Sequence, residues 1–174
     1  MAETWLQQLH QWHEFYVLVG TAAATLTGLM FVVVSIGPQV IATRGASGVR
    51  TFVTPVMVHF TSVLAVSALM LVPLMTPGVL AVLLALGSLG VLTYIFAIGV
   101  HRQWRQSKLD REDWIGYVGL PVLSYLAILG SAVAIWREAA SGFVIVAVAA
   151  ILLLIVGIRN AWDLVIWMAQ NSRG

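Results

Sequence analysis

Three sets of residues in this chain stand out from an apolar background because their side chains can bind, bond or titrate. The first runs along the opening apolar stretch, FYVLVGTAAATLTGLMFVVVSIG, and the acid just before it. Glu14, Thr21, Thr25, Gly28, Val32 and Ser35 follow at intervals of seven, four, three, four and three, with Leu18 in the gap. That pattern holds one face of a helix. If several copies of the helix surrounded an axis, this face would present an acidic ring at one mouth, a narrow polar middle and an apolar constriction at Val32. Acid rings and apolar constrictions are the parts of a cation path. The same face also suits plain packing within one subunit, with Glu14 solvated at a helix end.

The second set is a single residue, His59, in TPVMVHFTSVL, the one ionisable group deep inside an apolar run. An intramembrane ionisable residue is a functional suspect. Facing a pore, it would gate conduction as it titrates; bonded as a neutral ring to a Thr or a carbonyl, it would only tie two helices together. The third set is QLHQWHE, where His10, His13 and Glu14 fall at i, i+3 and i+4 and share a helical face. That spacing can hold Zn2+. The competing reading is an amphipathic lead-in lying at the membrane interface, anchored by Trp5, Leu9 and Trp12.

Catalytic patterns fail on inspection. The zincin pattern HExxH would need His at position 17, which is Val, and Ser88 in LGSLG follows Leu86 where a nucleophile elbow needs Gly. With no acid in the middle of a span, no enzyme and no cofactor are expected.

These residues sit in a chain that is 60% apolar and 9% charged over 174 residues, a balance that soluble domains do not have. A bilayer crossing takes about 20 mostly apolar residues. Five such runs fit, at 15–37, 52–76, 78–100, 114–136 and 142–160, and they define one all-α, polytopic membrane domain, 1–174. The longest polar break, HRQWRQSKLDRED at 101–113, leaves no room for a soluble catalytic or nucleic-acid-binding domain. Absence of cysteine removes disulfides and thiolate metal sites.

Lys and Arg are retained on the cytoplasmic side, and here they are lopsided. Arg44, Arg50, Arg102, Arg105, Lys108, Arg111, Arg159 and Arg173 share one side, against Arg137 alone on the other. The N-terminus is therefore expected outside and the C-terminus inside. Trp5, Trp12 and Trp136 then fall at the outer interface, and Trp104, Trp114, Trp162 and Trp167 at the inner one, as an aromatic belt requires. The first span is expected to stay in the mature chain despite the small residues Ser35 and Gly37, because MAETWLQQLHQWHE holds no Lys or Arg and the apolar run exceeds a signal core.

Helices in lipid associate by close backbone packing, which small residues permit. Gly20, Ala24 and Gly28 stand four apart and predict that span one is an inner helix. Arg159 and Asp163, also four apart, suit a structural ion pair, with Asn160 bonding a neighbouring helix. The basic residues 102–111 can dock on anionic lipid at about 1 kcal/mol each or simply fix orientation. Pro121, near Gly116 and Gly119, predicts a kink in span four, and Pro55 and Pro73 bracket span two.

Two motifs, WHEFYVLVGTAAATLTGLMFVVVSI and GIRNAWDLVIW, resemble a group of small bacterial inner-membrane proteins, some of which carry the label modulator of a membrane-bound AAA (FtsH-type) protease. The resemblance implies a bacterial inner-membrane location, an accessory role beside a membrane-protein partner, and no catalytic residues. Two functional classes follow: a homo-oligomeric cation channel lined by the first helix, and a non-conducting accessory of another membrane complex. Both act in the lipid bilayer and neither uses nucleic acid. The orientation is open to a direct check. A reporter active only outside should work when fused at the N-terminus or beside Arg137 and fail at the C-terminus; the opposite pattern would invert every depth assignment.

Overall fold

The computed structural model describes the backbone of residues 2–36, 46–100 and 115–171, with side chains described within 5–35, 53–97, 116 and 118–166. Arg44, Arg102, Arg105, Lys108, Arg111, Arg173, Trp104, Trp114 and Gly37 lie outside the described residues, as do the side chains of Arg50 and Trp167. The described residues are helical throughout, apart from short turns, and include no strand.

Helix α1 is Ala2–Ile36, α2 is Ala46–Leu71, α3 is Pro77–Tyr94, α4 is Leu120–Trp136 and α5 is Ser141–Asn171. Helix α3 continues into a π-helical segment, Ile95–Val100, and a second one, Ile115–Gly119, leads into α4. Without water to bond peptide groups, long helices are the economical answer to so apolar a sequence. Helices α1, α2, α3 and α5 are long and apolar enough to cross a membrane, and α4 is an apolar helix of 17 residues. The chain is thus built as a multi-pass membrane protein.

Contacts at both ends show that helix direction alternates. One end gathers Trp5, Met75, Gly78, Trp136 and Phe143: the Trp5 indole N–H donates to the Met75 carbonyl at 2.8 Å, Trp5 packs on Phe143, and Gly78 lies against the Trp136 ring. Towards the other end, Met30, Val56, Phe60 and Leu164 form one buried cluster, and Arg159 lies over Gly116. Helices α1, α3 and α5 therefore run one way and α2 and α4 the other.

In cross-section the helices form a bent row, α1–α2–α5–α4–α3, with α2 touching α3 lightly to begin closing it. Half of the most apolar stretch of α5 is buried among its neighbours, but only 22% of that of α1. Helix α1 is accordingly an edge helix of the chain, where the small-residue spacing predicted an inner one. Its Gly20 is buried and close enough to α2 that a Cβ there would stand 2.9 Å from the Ser67 Cβ. Ala24 and Gly28, the rest of the ridge, face outward, and a Cβ on Gly28 would meet nothing within 4 Å. Small residues dictate close approach to something; α2 takes only the first of the three.

Two other expectations differ from the structure for local reasons. Residues 2–14 continue α1 instead of forming a separate interfacial lead-in, because Trp5, Leu9 and Trp12 turn into the bundle. Trp12 stacks on Phe143 with 6.2 Å between centroids and 12° between planes. Pro121 falls in the first turn of α4, where its missing N–H costs little, and the preceding π-helical turn takes up the irregularity expected as a mid-span kink. Pro55 does lie inside α2, whereas Pro73 falls in the turn after it.

The tightest seam joins α2 to α5. The Phe60 ring fills the notch left by Gly157, so a Cβ at 157 would collide with it. Gly157→Ala should overpack this seam and destabilise the bundle by about 1–3 kcal/mol, seen as a lowered unfolding midpoint in detergent. Gly87→Ala, where a Cβ meets nothing within 4 Å, should leave the midpoint unchanged or raise it. Equal behaviour of the two variants would show that the seam does not hold the fold.

Candidate functional site

Two places bring functional side chains together. The outward face of α1 carries Glu14, Thr21, Thr25, Gly28, Val32 and Ser35, and all six are exposed on the single chain, as is Leu18 between them. They form one continuous strip because α2 covers the opposite side of α1, where Tyr16, Val19, Ala23 and Met30 are buried. Two of the strip's three hydroxyls turn back on their own helix: Thr25 donates to the Thr21 carbonyl at 2.9 Å, and Ser35 to the Phe31 carbonyl at 2.7 Å. Thr27, on the flank, does the same to Ala23 at 2.8 Å. Such bonds satisfy the donor and leave the oxygen able to accept another.

At the N-terminal end of the strip, the structure does not assemble the metal site that the sequence spacing allowed. His10, His13 and Glu14 are all exposed, with 6.4 Å between the two imidazole centroids and 3.7 Å from His13 Nδ1 to the Glu14 carboxylate. Among the described residues, no three His, Asp or Glu side chains converge to hold a metal ion. Helical spacing puts residues on a face without making their donor atoms converge, and here only His13 and Glu14 approach each other.

The second place is buried. His59, at 2% exposure, points from α2 towards α4, where its Nδ1 lies 3.1 Å from the Tyr125 hydroxyl. Tyr125 in turn donates to Ser62 Oγ at 3.1 Å, one turn along α2 from His59. With the phenol donating to Ser62, its oxygen accepts from the imidazole, and on that arrangement we assign the ring proton to Nδ1. The other ring nitrogen, Nε2, is then an acceptor, and it has no hydrogen-bond partner among the described residues. On α5, Asn160 is buried at 1% exposure with neither its carbonyl oxygen nor its amide nitrogen paired among the described residues.

Arg159, the next residue, directs its guanidinium across to the turn before α4, where it occupies the space a side chain on Gly116 would need. Asp163 follows one turn later and is half-buried with interactions of its own. His59 was legible as the lone ionisable residue of its span; Tyr125 and Ser62 were not singled out, since a Tyr in an apolar helix reads as core and Ser62 lies three positions along. The only signal was that a buried phenol normally finds a partner.

No family model matches the chain, and no curated protein or solved structure matches it. The His59–Tyr125 bond can be measured by itself. A double-mutant cycle of His59→Leu and Tyr125→Phe should give a coupling of about 0.6 kcal/mol, rising to at most about 1.7, the range found for hydrogen bonds between membrane helices. A coupling indistinguishable from zero would mean that the two side chains do not bond in lipid.

Proposed function

We propose that this chain is a five-span, non-enzymatic protein of a bacterial inner membrane, N-terminus outside and C-terminus inside, that works by lateral association through the outward face of α1. Copies of α1 gathered about an axis would line a cation path. The carrying observation is the contrast between outward faces. Helix α5 turns out Val148, Ile151, Ile155 and Ile158, and α3 turns out Val79, Val82, Leu86 and Leu89 beside Gly87, Gly90 and Thr93, whereas α1 exposes Thr21, Ala24, Thr25, Gly28 and Ser35 between Leu18, Leu29, Phe31 and Val32 and adds an acid, Glu14, at one end. Small and hydroxylated positions lower the barrier to close helix approach and offer acceptors to a passing ion.

Two further points support the reading. The interior of one chain is filled by Tyr16, Phe60, Leu84, Ile128, Phe143 and Leu153, so ions would pass between copies and not through one. The alternating directions of the five helices support the span count, and the segregation of Arg and Lys supports the orientation. The back-bonded hydroxyls of Thr25 and Ser35 favour a second reading, in which the same strip packs dry against another membrane protein and the chain is a non-conducting accessory.

Purified protein separates the two. Mass in mild detergent should exceed one chain, and Gly28→Leu should reduce it to a monomer by placing bulk on the strip. In liposomes, Glu14→Gln should lower cation flux and cation preference. The drop should be larger at low salt, because screening extends only about 10 Å at 0.1 M but about 30 Å at 0.01 M. Val32→Ser should wet the constriction and raise basal leak. A monomer, or liposomes silent for both wild type and Val32→Ser, would remove the channel and leave the accessory role.

A further inference from the structure

Five buried polar side-chain atoms have no partner among the described residues: Gln8 Oε1, Ser67 Oγ, His59 Nε2, Asn160 Oδ1 and Asn160 Nδ2. Leaving each unsatisfied in an apolar interior costs about 1–3 kcal/mol, and the last three are on α2 and α5, beside the residues of the Phe60–Gly157 contact. Their relative height follows from the Phe60–Gly157 contact. His59 precedes Phe60 by one residue on α2 and Asn160 follows Gly157 by three on the antiparallel α5, so both are displaced towards the same end. At the rise of an α-helix the displacements are about 1.5 and about 4.5 Å, so the two residues stand at neighbouring levels of the α2–α5 seam. Helix α4 flanks that seam. Its Tyr125 bonds His59, and the turn leading into it lies under Arg159, the neighbour of Asn160.

We propose that His59 Nε2 and the Asn160 carboxamide share a bound water molecule, making this junction an internal hydration site of the bundle. The hydrogen-bond arithmetic closes. Nε2 is an acceptor because Nδ1 carries the proton, Oδ1 is an acceptor, and Nδ2 is a donor; one water donates twice and accepts once. Three polar partners lie within the two to four that a buried water requires. A direct bond between the two side chains would satisfy Nε2 and Nδ2 but strand Oδ1, whereas water serves all three atoms. The inference is independent of what α1 does at the edge of the chain.

The test uses the full chain, with 15N-labelled histidine, in lipid vesicles at neutral pH, read by solid-state NMR. The chain has four histidines, and subtraction with a His59→Gln sample isolates the one signal. Wild type should show a neutral ring protonated at Nδ1, with magnetisation transferred from water to Nε2. Asn160→Leu should abolish the transfer while keeping the tautomer. Tyr125→Phe should move the proton to Nε2, since its partner at Nδ1 is gone, and keep the water. Three results would overturn the proposal: a wild-type ring protonated at Nε2, a wild-type Nε2 that receives nothing from water, or full transfer in a folded Asn160→Leu. The first two need no variant, so misfolding cannot shelter it.

Discussion

The bundle depends on one close approach, the seating of Phe60 in the notch at Gly157. Apolar side chains gain nothing from leaving lipid for protein, so a membrane bundle is held by how closely its helices fit and by the polar groups they bring together. The Phe60 seat fixes both for α2 and α5. It sets their register, which brings His59 and Asn160 to neighbouring levels, while Tyr125 reaches His59 from α4. A shift of α2 by one residue would turn His59 by about 100°, away from the phenol it now bonds. Fit and polar pairing therefore constrain each other, and His59 is tolerable at 2% exposure because the Phe60 seat holds it against a phenol.

At the other end of the bundle the same logic uses aromatic rings. Trp5, Trp12, Tyr16 and Phe143 pack tilted or stacked against one another, and the Trp5 indole is pinned to the Met75 carbonyl. The carbonyl comes from the turn between α2 and α3, where Leu74 takes a positive φ of 58° and is exposed. A free indole N–H and a free turn carbonyl are both expensive away from water, and one bond settles both. This clasp ties the start of α1 to α5 and to the α2–α3 turn. It explains why α1 remains helical well before its apolar stretch begins.

The helical architecture was legible because it rests on composition and run length, which are local. Its exceptions are where a partner distant in sequence decides. Trp5 and Trp12 read as interface anchors, since Trp is at home there, but a ring's preference does not say whether lipid or a neighbour covers it; Phe143 does, 138 and 131 residues away. His59 was conspicuous by type, yet its partner Tyr125 is 66 residues off and looks like any core aromatic. Gly20, Ala24 and Gly28 announce close approach without naming the other surface. Within the chain, α2 takes Gly20 alone. The converging side chains needed for a metal at His10, His13 and Glu14 are likewise a matter of rotamers and neighbours that spacing does not encode.

Helix α1 joins these threads, because it is fastened at one end and open along its length. The aromatic clasp and the Gly20–Ser67 contact hold it to the bundle, while Ala24, Gly28 and the Thr and Ser strip face away. Where that surface is small, at Thr21, Ala24, Thr25 and Gly28, it loses dispersion contacts against disordered lipid chains and recovers them against a second helix that can approach closely, with Leu18, Leu29, Phe31 and Val32 flanking the contact. The Thr25 and Ser35 hydroxyls are already bonded to their own backbone, so approach strands neither donor. Conduction, in the proposed reading, is secondary to that association: the strip first has to find a helix, and only when the helix found is another α1 do Glu14 and Val32 become a ring and a constriction.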